Sequence, residues 1–240
     1  MSNMRERNKL LVVAWTLGLW GGLFFCLLRL AGVVKISGYQ KRKIIPQEGR
    51  LVIIYRHPSL REPALLPFLL FPWFLFDSRL VPFSTPDKVD YYSKWWFWPF
   101  RPVCIPIERG NPKAARQILE QMKAKLDKGW VLVLAPGGGR EFKGTTFKRL
   151  KDGKIETVRT APGLNYSDLA KEAGGKIVRG FHSGVGWILD STQAVVLPVW
   201  VETDGIRTKM TIGEPTRHPG GLSRKETVEF LQNSLLNLKA

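Results

Sequence analysis

A histidine and a glutamate lie close together in the segment YRHPSLREP, residues 55–63, between a hydrophobic strand and a hydrophobic helix. A neutral imidazole can take a proton from a hydroxyl when its second nitrogen is held and its developing charge is balanced, and a carboxylate does both. His57 and Glu62 could therefore form a general base and its partner. Ser59 lacks the G-x-S-x-G context of a nucleophilic serine, so the base would act directly on a substrate hydroxyl. By itself, the H-x-x-x-x-E spacing occurs often by chance, and a structural histidine at the end of a strand is the more common case.

Two further predicted strands end in residues that bind phosphate well. The segment CIPIERG places Glu108 and Arg109 at the end of one strand, and LAPGGGRE places Arg140 after the glycine-rich turn that follows another. Glycine lets the backbone approach an anion closely, and arginine grips a phosphate with its forked guanidinium. One such arginine would most simply form a surface salt bridge. Two of them, in a chain that also places His57 after a strand, indicate a binding site for an anionic substrate.

An α/β fold would position these residues. Short apolar runs rich in β-branched residues predict strands at 50–56, 79–83, 102–107, 130–136, 194–202 and 207–213. Periodicity and capping signals predict helices at 64–76, 111–129 and 223–238, and the polar, basic segment 141–180 predicts a loop with one short helix. Strands that alternate with helices predict a single domain with a mostly parallel central sheet flanked by helices. In such folds ligands bind at the carboxyl ends of the strands.

The N-terminal region predicts a membrane anchor. Residues 10–28 carry no charged side chain, and a helix of that length can cross the hydrocarbon core of a bilayer. A signal peptide is the competing interpretation, but Arg29 and Lys35 follow instead of a small-residue cleavage site. Because both flanks are basic, the positive-inside rule does not decide between a helix that spans the membrane and one that dips into it. We expect an anchor over residues 1–34 and a domain over residues 35–240 on the cytoplasmic face.

The amino-acid composition favours binding to an anionic partner such as membrane lipids. The chain has 37 Lys and Arg against 20 Asp and Glu, a net charge of +17, so acidic headgroups, phosphate ligands and nucleic acid would all be attracted. Its aromatic residues cluster beside lysines, as in FPWFLF and KWWFWPF, which suits either a bilayer interface or stacking on single-stranded nucleic acid. The apolar N-terminus decides for membrane lipids and against nucleic acid. Cys26 and Cys104 offer no disulfide framework, which fits a reducing compartment.

Four segments, in order, resemble the motifs of the glycerolipid acyltransferases, the lysophospholipid acyltransferase superfamily that includes the 1-acylglycerol-3-phosphate acyltransferases. RHPSLRE resembles the first motif, N-H-x-x-x-x-D, with Glu62 in place of the usual aspartate. IPIERG is similar to the second motif, which ends in Asp-Arg, and APGGGRE occupies the place of the third, F-P-E-G-T-R. VVLPVWV resembles the fourth, V-I-P-V. With the lead-in VKISGYQ and the late IGEP, the resemblance covers roughly residues 30–215.

The resemblance implies a mechanism and a set of site residues. His57 would deprotonate an acceptor hydroxyl, which attacks the thioester of acyl-CoA or acyl-carrier protein, while Glu62 would orient His57 and balance its charge. The reaction would need neither a metal nor a redox cofactor. Pro198 and its neighbours would shape the floor of the site. The substrate-binding residues would be Arg109 and Arg140 on the acceptor phosphate, Gly138 for close backbone approach, Ser59 and Glu108.

The third segment departs from the family pattern. Gly137 stands where the family has a glutamate, and Gly139 replaces its hydroxyl residue. These changes bear on the identity of the acceptor more than on the reaction. The stretch between Arg140 and Pro198 is also longer than usual, and its basic loop could contact CoA phosphates, an acidic carrier protein or lipid headgroups, or be an inert insertion.

Three alternatives stand beside the acyltransferase hypothesis. A non-catalytic lipid-binding protein with a degenerate acyltransferase fold would use the same basic, aromatic surface. A nucleotide-binding loop at GREFKGTT, residues 139–146, has the glycine spacing but lacks the Lys-Ser/Thr that reaches phosphates and metal. A zinc site is unsupported because His57, His182 and His218 have no ligand spacing with the cysteines. For His182 we expect a structural or surface role.

Overall fold

The structure is a computed structural model that describes residues 2–44, 49–59, 61–108, 112–136, 146–151, 154–159, 177–179 and 183–238. Its strands are β1 (Val34–Ser37), β2 (Leu51–Tyr55), β3 (Phe83–Ser84), β4 (Val131–Leu134), β5 (Thr146–Lys151), β6 (Lys154–Arg159), β7 (Ile177–Arg179), β8 (Val195–Asp204), β9 (Arg207–Ile212) and β10 (Thr216–Arg217). Its α-helices are α1 (Ser2–Val13), α2 (Leu19–Leu30), α3 (Glu62–Leu65), α4 (Pro112–Asp127), α5 (Ser183–Thr192) and α6 (Arg224–Leu236).

The central sheet is mostly parallel, as predicted. Its strand order is β1-β9-β8-β2-β4-β3, and β10 pairs with β8 beside this path. Strand β2 lies in the middle, parallel to β8 on one side and to β4 on the other, and β3 continues the parallel run beyond β4. The antiparallel pairs are β8 with β9 and β8 with β10. All five residues of β2 are buried, because the strand has neighbours on both sides and apolar layers above and below.

Helices α4 and α6 confirm the predicted helices, and α6 also confirms the predicted capping box, whereas Asn111, the predicted cap of α4, lies outside the described residues. The apolar face of α4 buries Ile118, Met122 and Leu126. Helix α6 begins with a capping box, in which the backbone N–H of Glu226 donates to Ser223 Oγ and the backbone N–H of Ser223 donates to a Glu226 carboxylate oxygen. Helix α5, absent from the sequence predictions, packs against both α4 and α6.

The N-terminal helix is continuous through a π-helical turn, Ala14–Gly18, that joins α1 to α2. Residues Asn8–Leu30 are long and apolar enough to cross a membrane, and an 18-residue window within them has a mean hydropathy of 2.1. The helix is nevertheless docked on the domain along one side. A β-carbon at Gly21 or Gly22 would collide with the rings of Phe68 and Phe71, so these glycines permit a close approach.

Several short elements differ from the sequence predictions. The predicted helix 64–76 is a series of helical turns, α3, Leu66–Leu70 and Trp73–Leu75, because Pro67 and Pro72 interrupt the backbone hydrogen bonds. The strand predicted at 79–83 is wrong over most of its length: a 3-10 turn, Ser78–Leu80, forms there because the Asp77 carboxylate accepts from the Arg79 N–H. The strand predicted at 102–107 reduces to two single bridges, after a 3-10 segment that extends over Trp95–Val103.

The segment predicted as loop and one short helix, 141–180, contains strands among its described residues. Strand β5 pairs antiparallel with both β6 and β7 in a separate three-stranded sheet. Cross-strand pairs in this sheet join Phe147 to Val158 and Leu150 to Ile155. The apolar residues of β5, Phe147 and Leu150, are three positions apart. They do not show the strict alternation that predicts a strand.

Candidate active site

His57 lies two residues beyond the carboxyl end of the central strand β2. Parallel pairing aligns Ile54 with Pro198 and Tyr55 with Val199. Pro198 is buried and lies beside the end of β2. The pairing of β2 with β8 thus brings RHPSLRE and VVLPVWV, the segments that resemble the first and fourth motifs, side by side. Their order in the sequence does not predict this contact.

The His57 imidazole is hydrogen-bonded to the Glu62 carboxylate, with 2.7 Å between Nδ1 and Oε1. The Glu62 side chain is fully buried, whereas that of His57 is 14% exposed and can be reached from outside. The short turn 57–62 makes this possible because Glu62 is the first residue of α3 and faces back toward the strand end. The predicted proximity of the two side chains is confirmed.

Ser59 completes the carboxylate's hydrogen bonds. Its backbone N–H donates to Glu62 Oε1 at 2.7 Å and its hydroxyl donates to Oε2 at 2.6 Å. The Ser59 hydroxyl in turn accepts from the backbone N–H of Arg61 at 3.1 Å. Ser59 therefore positions Glu62 in this structure, and its predicted contact with substrate stays a prediction.

These hydrogen bonds keep the Glu62 carboxyl ionised and orient the His57 imidazole. Burial opposes ionisation of the Glu62 carboxyl, but hydrogen bonds from His57 and Ser59 outweigh it and hold its pKa below the usual value. An ionised carboxylate can only accept, so His57 Nδ1 donates in this hydrogen bond, and in the neutral form of the imidazole the lone pair is on Nε2. The arrangement orients Nε2 away from the carboxylate and places a counter-charge beside the imidazole.

The surroundings of the pair include residues that sequence reasoning missed. Tyr55 is buried, and its ring lies edge-on to the imidazole with 5.8 Å between centroids. Burial, with a further effect of the Glu62 carboxylate, raises the pKa of Tyr55, so the phenol is neutral. Arg56 is also buried: it donates to the Val201 carbonyl at 3.3 Å and lies over the ring of Trp200. The available signal was a charged residue directly after an apolar strand.

A hydrogen bond from the Arg61 side chain connects the turn to the β8–β9 strand pair. Arg61 Nη1 donates to the carbonyl of Gly205, in the turn between β8 and β9, at 2.5 Å. The turn that carries His57 is thus connected both to its own α3 and to the neighbouring strand pair, which limits its freedom.

Glu108 follows a parallel bridge between Asp87 and Ile107, on the far side of β3 from β2. Its carboxylate is ion-paired with Lys88 at 3.2 Å, and both side chains are about half exposed. Its predicted role in substrate binding stays a prediction. The predicted phosphate-binding residues Arg109, Gly138 and Arg140 lie outside the described residues, as do Gly137, Gly139, His182 and most of the possible nucleotide loop.

The described histidine and cysteine side chains give no support to a metal site. Among the described residues, no group of three or more His, Cys, Asp or Glu side chains could hold a metal ion. His218 is buried and has a structural role: its Nδ1 accepts from the Gly220 N–H at 3.2 Å, and its Nε2 is hydrogen-bonded to the Thr227 hydroxyl at 2.8 Å.

Comparison with known proteins adds one family. The family model described as Acyltransferase matches residues 35–202, more than half of the chain. The crystal structure of the 1-acyl-sn-glycerophosphate (LPA) acyltransferase PlsC from Thermotoga maritima is similar over 92% of this chain and 77% of that chain, at 19% identity and a TM-score of 0.48. No curated protein sequence matches significantly. The matched range contains His57, Glu62 and every other predicted site residue.

Proposed function

This chain belongs to the Acyltransferase family, and we propose that it transfers a fatty acyl group from acyl-CoA or acyl-carrier protein to the hydroxyl of a lyso-lipid of the lysophosphatidic acid type. The observation that supports this function best is the hydrogen bond between His57 Nδ1 and the buried, ionised Glu62. It leaves a basic nitrogen at the carboxyl end of a parallel sheet, where substrates bind in such folds.

The proposed reaction is direct acyl transfer with general-base catalysis. His57 Nε2 takes the proton of the acceptor hydroxyl as the oxygen attacks the thioester carbonyl carbon. The resulting tetrahedral intermediate collapses, the carbon–sulfur bond breaks, and the thiolate leaves with the proton returned by the imidazolium. Glu62 balances the transient charge on His57 from a buried position, where electrostatic interactions are stronger than in water.

The acceptor's phosphate would be held by Arg109 and Arg140, with Gly138 allowing the backbone to approach. Strand order supports this assignment. The segment before Arg109 runs parallel to the chain after β3, and Arg140 follows β4, the direct neighbour of β2. Both segments therefore end at the same edge of the sheet as β2, which precedes His57.

Exposed apolar side chains support membrane attachment. One face of the N-terminal helix leaves large hydrophobic residues uncovered, and Trp20 is 72% exposed. The 3-10 segment Trp95–Val103, which packs against α1, adds Trp95 at 82% exposure and further aromatic rings. Many exposed apolar side chains on neighbouring elements indicate an interaction site, and tryptophans beside lysines suit a bilayer interface.

The docked side of the helix favours an inserted rather than a spanning arrangement. Leu10, Ala14 and Phe25 are almost completely buried, so the helix contacts the domain near both of its ends. A helix held in this way cannot cross the bilayer unless the domain also enters it. We propose that the helix lies half-inserted in one leaflet, with the domain on the cytoplasmic side.

A transfer assay with purified protein tests the function. The protein in detergent is given radiolabelled acyl-CoA or acyl-carrier protein and a panel of lyso-lipids, with His57→Ala as the matched variant. We expect transfer to at least one acceptor and a loss of about a thousandfold in His57→Ala. Transfer unaffected by His57→Ala would refute the mechanism. Lipid binding without transfer to any acceptor would support the non-catalytic lipid-binding alternative.

A further inference from the structure

A second group of cationic side chains lies where the apolar helix joins the domain. The guanidinium carbons of Arg29 and Arg42 lie 3.9 and 3.7 Å from the ring centroid of Tyr39. All three residues are partly exposed, so a ligand can reach them. We refer to them as the Arg29–Tyr39–Arg42 cluster.

The protein supplies no carboxylate to this cluster in the part of the chain that the structure describes. The sequence contains no Asp or Glu from residue 7 to residue 47. None of the ion pairs among the described residues involves Arg29 or Arg42. The two positive charges therefore share one aromatic ring, whose attraction to cations is worth about 0.5–2 kcal/mol each. A ring offsets part of the repulsion but carries no negative charge.

Within the described part of the chain, two hydrogen bonds hold the Arg42 guanidinium in place and leave its other N–H donors unused. Its Nη1 donates to the carbonyls of Leu69 and Phe71 at 2.8 Å each, and the Trp73 ring covers another side at 4.5 Å. A guanidinium has five N–H donors, and the three on Nε and Nη2 have no acceptor among the described residues. Burial lowers the pKa of Arg42, and the charge of Arg29 acts in the same direction. A pre-organised fork with unused donors suits a phosphate oxygen pair.

Arg29 places the cluster beside lipid-facing surface. It lies in the last turn of α2, and the adjacent Leu30 is 84% exposed. The carbonyls at this helix end accept from backbone N–H groups of residues 31–33, so they do not use the arginine's donors. An anion bound here would have a hydrophobic helix face next to it.

We propose that the Arg29–Tyr39–Arg42 cluster binds the phosphate group of a membrane lipid whose acyl chains lie along the exposed face of α2. The bound lipid is a component of the membrane and not the acyl acceptor, because the residues differ from those expected to hold the acceptor phosphate. The site rests on the proposed membrane attachment and is independent of the transfer reaction.

Vesicle binding by the full-length protein tests the site. Binding to phosphatidylcholine vesicles is compared with binding to vesicles that also contain phosphatidylglycerol, for wild type, Arg29→Gln and Arg116→Gln. Arg116 is an exposed arginine on α4, so its replacement removes the same charge elsewhere. We expect Arg29→Gln to reduce the preference for anionic vesicles about fivefold more than Arg116→Gln does. Equal losses in the two variants would show diffuse attraction by the basic surface and overturn the site.

Arg42→Lys provides a second variant that keeps the charge but removes the fork. We expect it to weaken the anionic preference with an unchanged near-ultraviolet circular dichroism spectrum, and wild-type preference would contradict the site. A further arm separates a lipid phosphate from a free one. Inorganic phosphate at fixed ionic strength should raise the melting temperature less than phosphatidylglycerol vesicles do, and an equal or larger rise would overturn the lipid assignment. Because binding is measured, His57→Ala protein without transfer activity would give the same result.

Discussion

The turn around His57 and the Arg29–Tyr39–Arg42 cluster both place polar groups in partly buried surroundings, but they are completed differently. In the turn, the Glu62 carboxylate receives hydrogen bonds from His57 and from both donors of Ser59. In the cluster, two guanidinium groups share a ring without an acid among the described residues. The complete network keeps the buried carboxylate ionised, whereas the incomplete one leaves donors for a ligand.

Replacing Glu62 with glutamine tests the complete network most severely. The amide keeps an oxygen that can accept from Nδ1 but cannot balance an imidazolium, so we expect kcat to fall about a hundredfold. Steady-state acyl transfer measures the effect, and Glu62→Asp should retain more activity because it keeps the charge. Near-wild-type activity of Glu62→Gln would remove the counter-charge from the mechanism.

We expect the next largest effect from a substitution that disturbs the docking of the N-terminal helix. A β-carbon at position 22 would collide with the Phe71 ring, so Gly22→Ala should destabilise the protein by about 1–3 kcal/mol. Thermal unfolding in detergent measures this loss. Trp20→Ala is the matched control, since its exposed side chain should affect vesicle binding and leave the melting temperature unchanged. A stable Gly22→Ala protein would contradict the docked arrangement.

Ser59→Ala should have a smaller effect on activity. It removes the hydroxyl hydrogen bond to Glu62 Oε2 but keeps the backbone N–H bond to Oε1. Hydrogen bonds to charged groups are worth about 1.5–3 kcal/mol, so we expect roughly a tenfold loss in kcat. A change in KM with constant kcat would instead indicate that Ser59 contacts substrate, as the family resemblance implies.

The pH dependence of stability provides the mildest test of the network. The pKa of Glu62 is lower in the folded protein than its ordinary value of 4.5. Ionised Glu62 therefore adds stability that is fully present above pH 4.5 and is lost as the pH falls through the folded-state pKa. Denaturant unfolding of wild type and Glu62→Gln should show a stability difference that shrinks below pH 4.5. A difference that is constant with pH would mean that the pKa of Glu62 is the same in the folded and unfolded states, and would contradict the lowered folded-state pKa.

The two regions also differ in how well the sequence predicts them. The proximity of His57 and Glu62 was predictable because both lie in one nine-residue segment, and a short turn can bring them together. Helices α4 and α6 were predictable from periodicity and local caps such as Ser223 and Glu226. These features depend on neighbouring residues, so their signals are local.

Other features depend on distant partners. The Arg29–Tyr39–Arg42 cluster forms because carbonyls of residues 69 and 71 orient Arg42, and no local pattern specifies that contact. The 3-10 turn at Ser78–Leu80 replaced a predicted strand because one aspartate cap outweighed the β-branched pattern. Helix α5 was missed since its sequence contains Gly184 and Gly186, poor helix formers that its packing against α4 and α6 offsets.

A double-mutant cycle on His57 and Glu62 tests the central claim most directly. If the two side chains act as one catalytic unit, removing both should cost no more than removing His57 alone. We therefore predict that His57→Ala and the His57→Ala/Glu62→Gln double variant have the same residual acyl transfer rate. Multiplication of the two single effects in the double variant would show that Glu62 acts independently of His57 and would contradict the account.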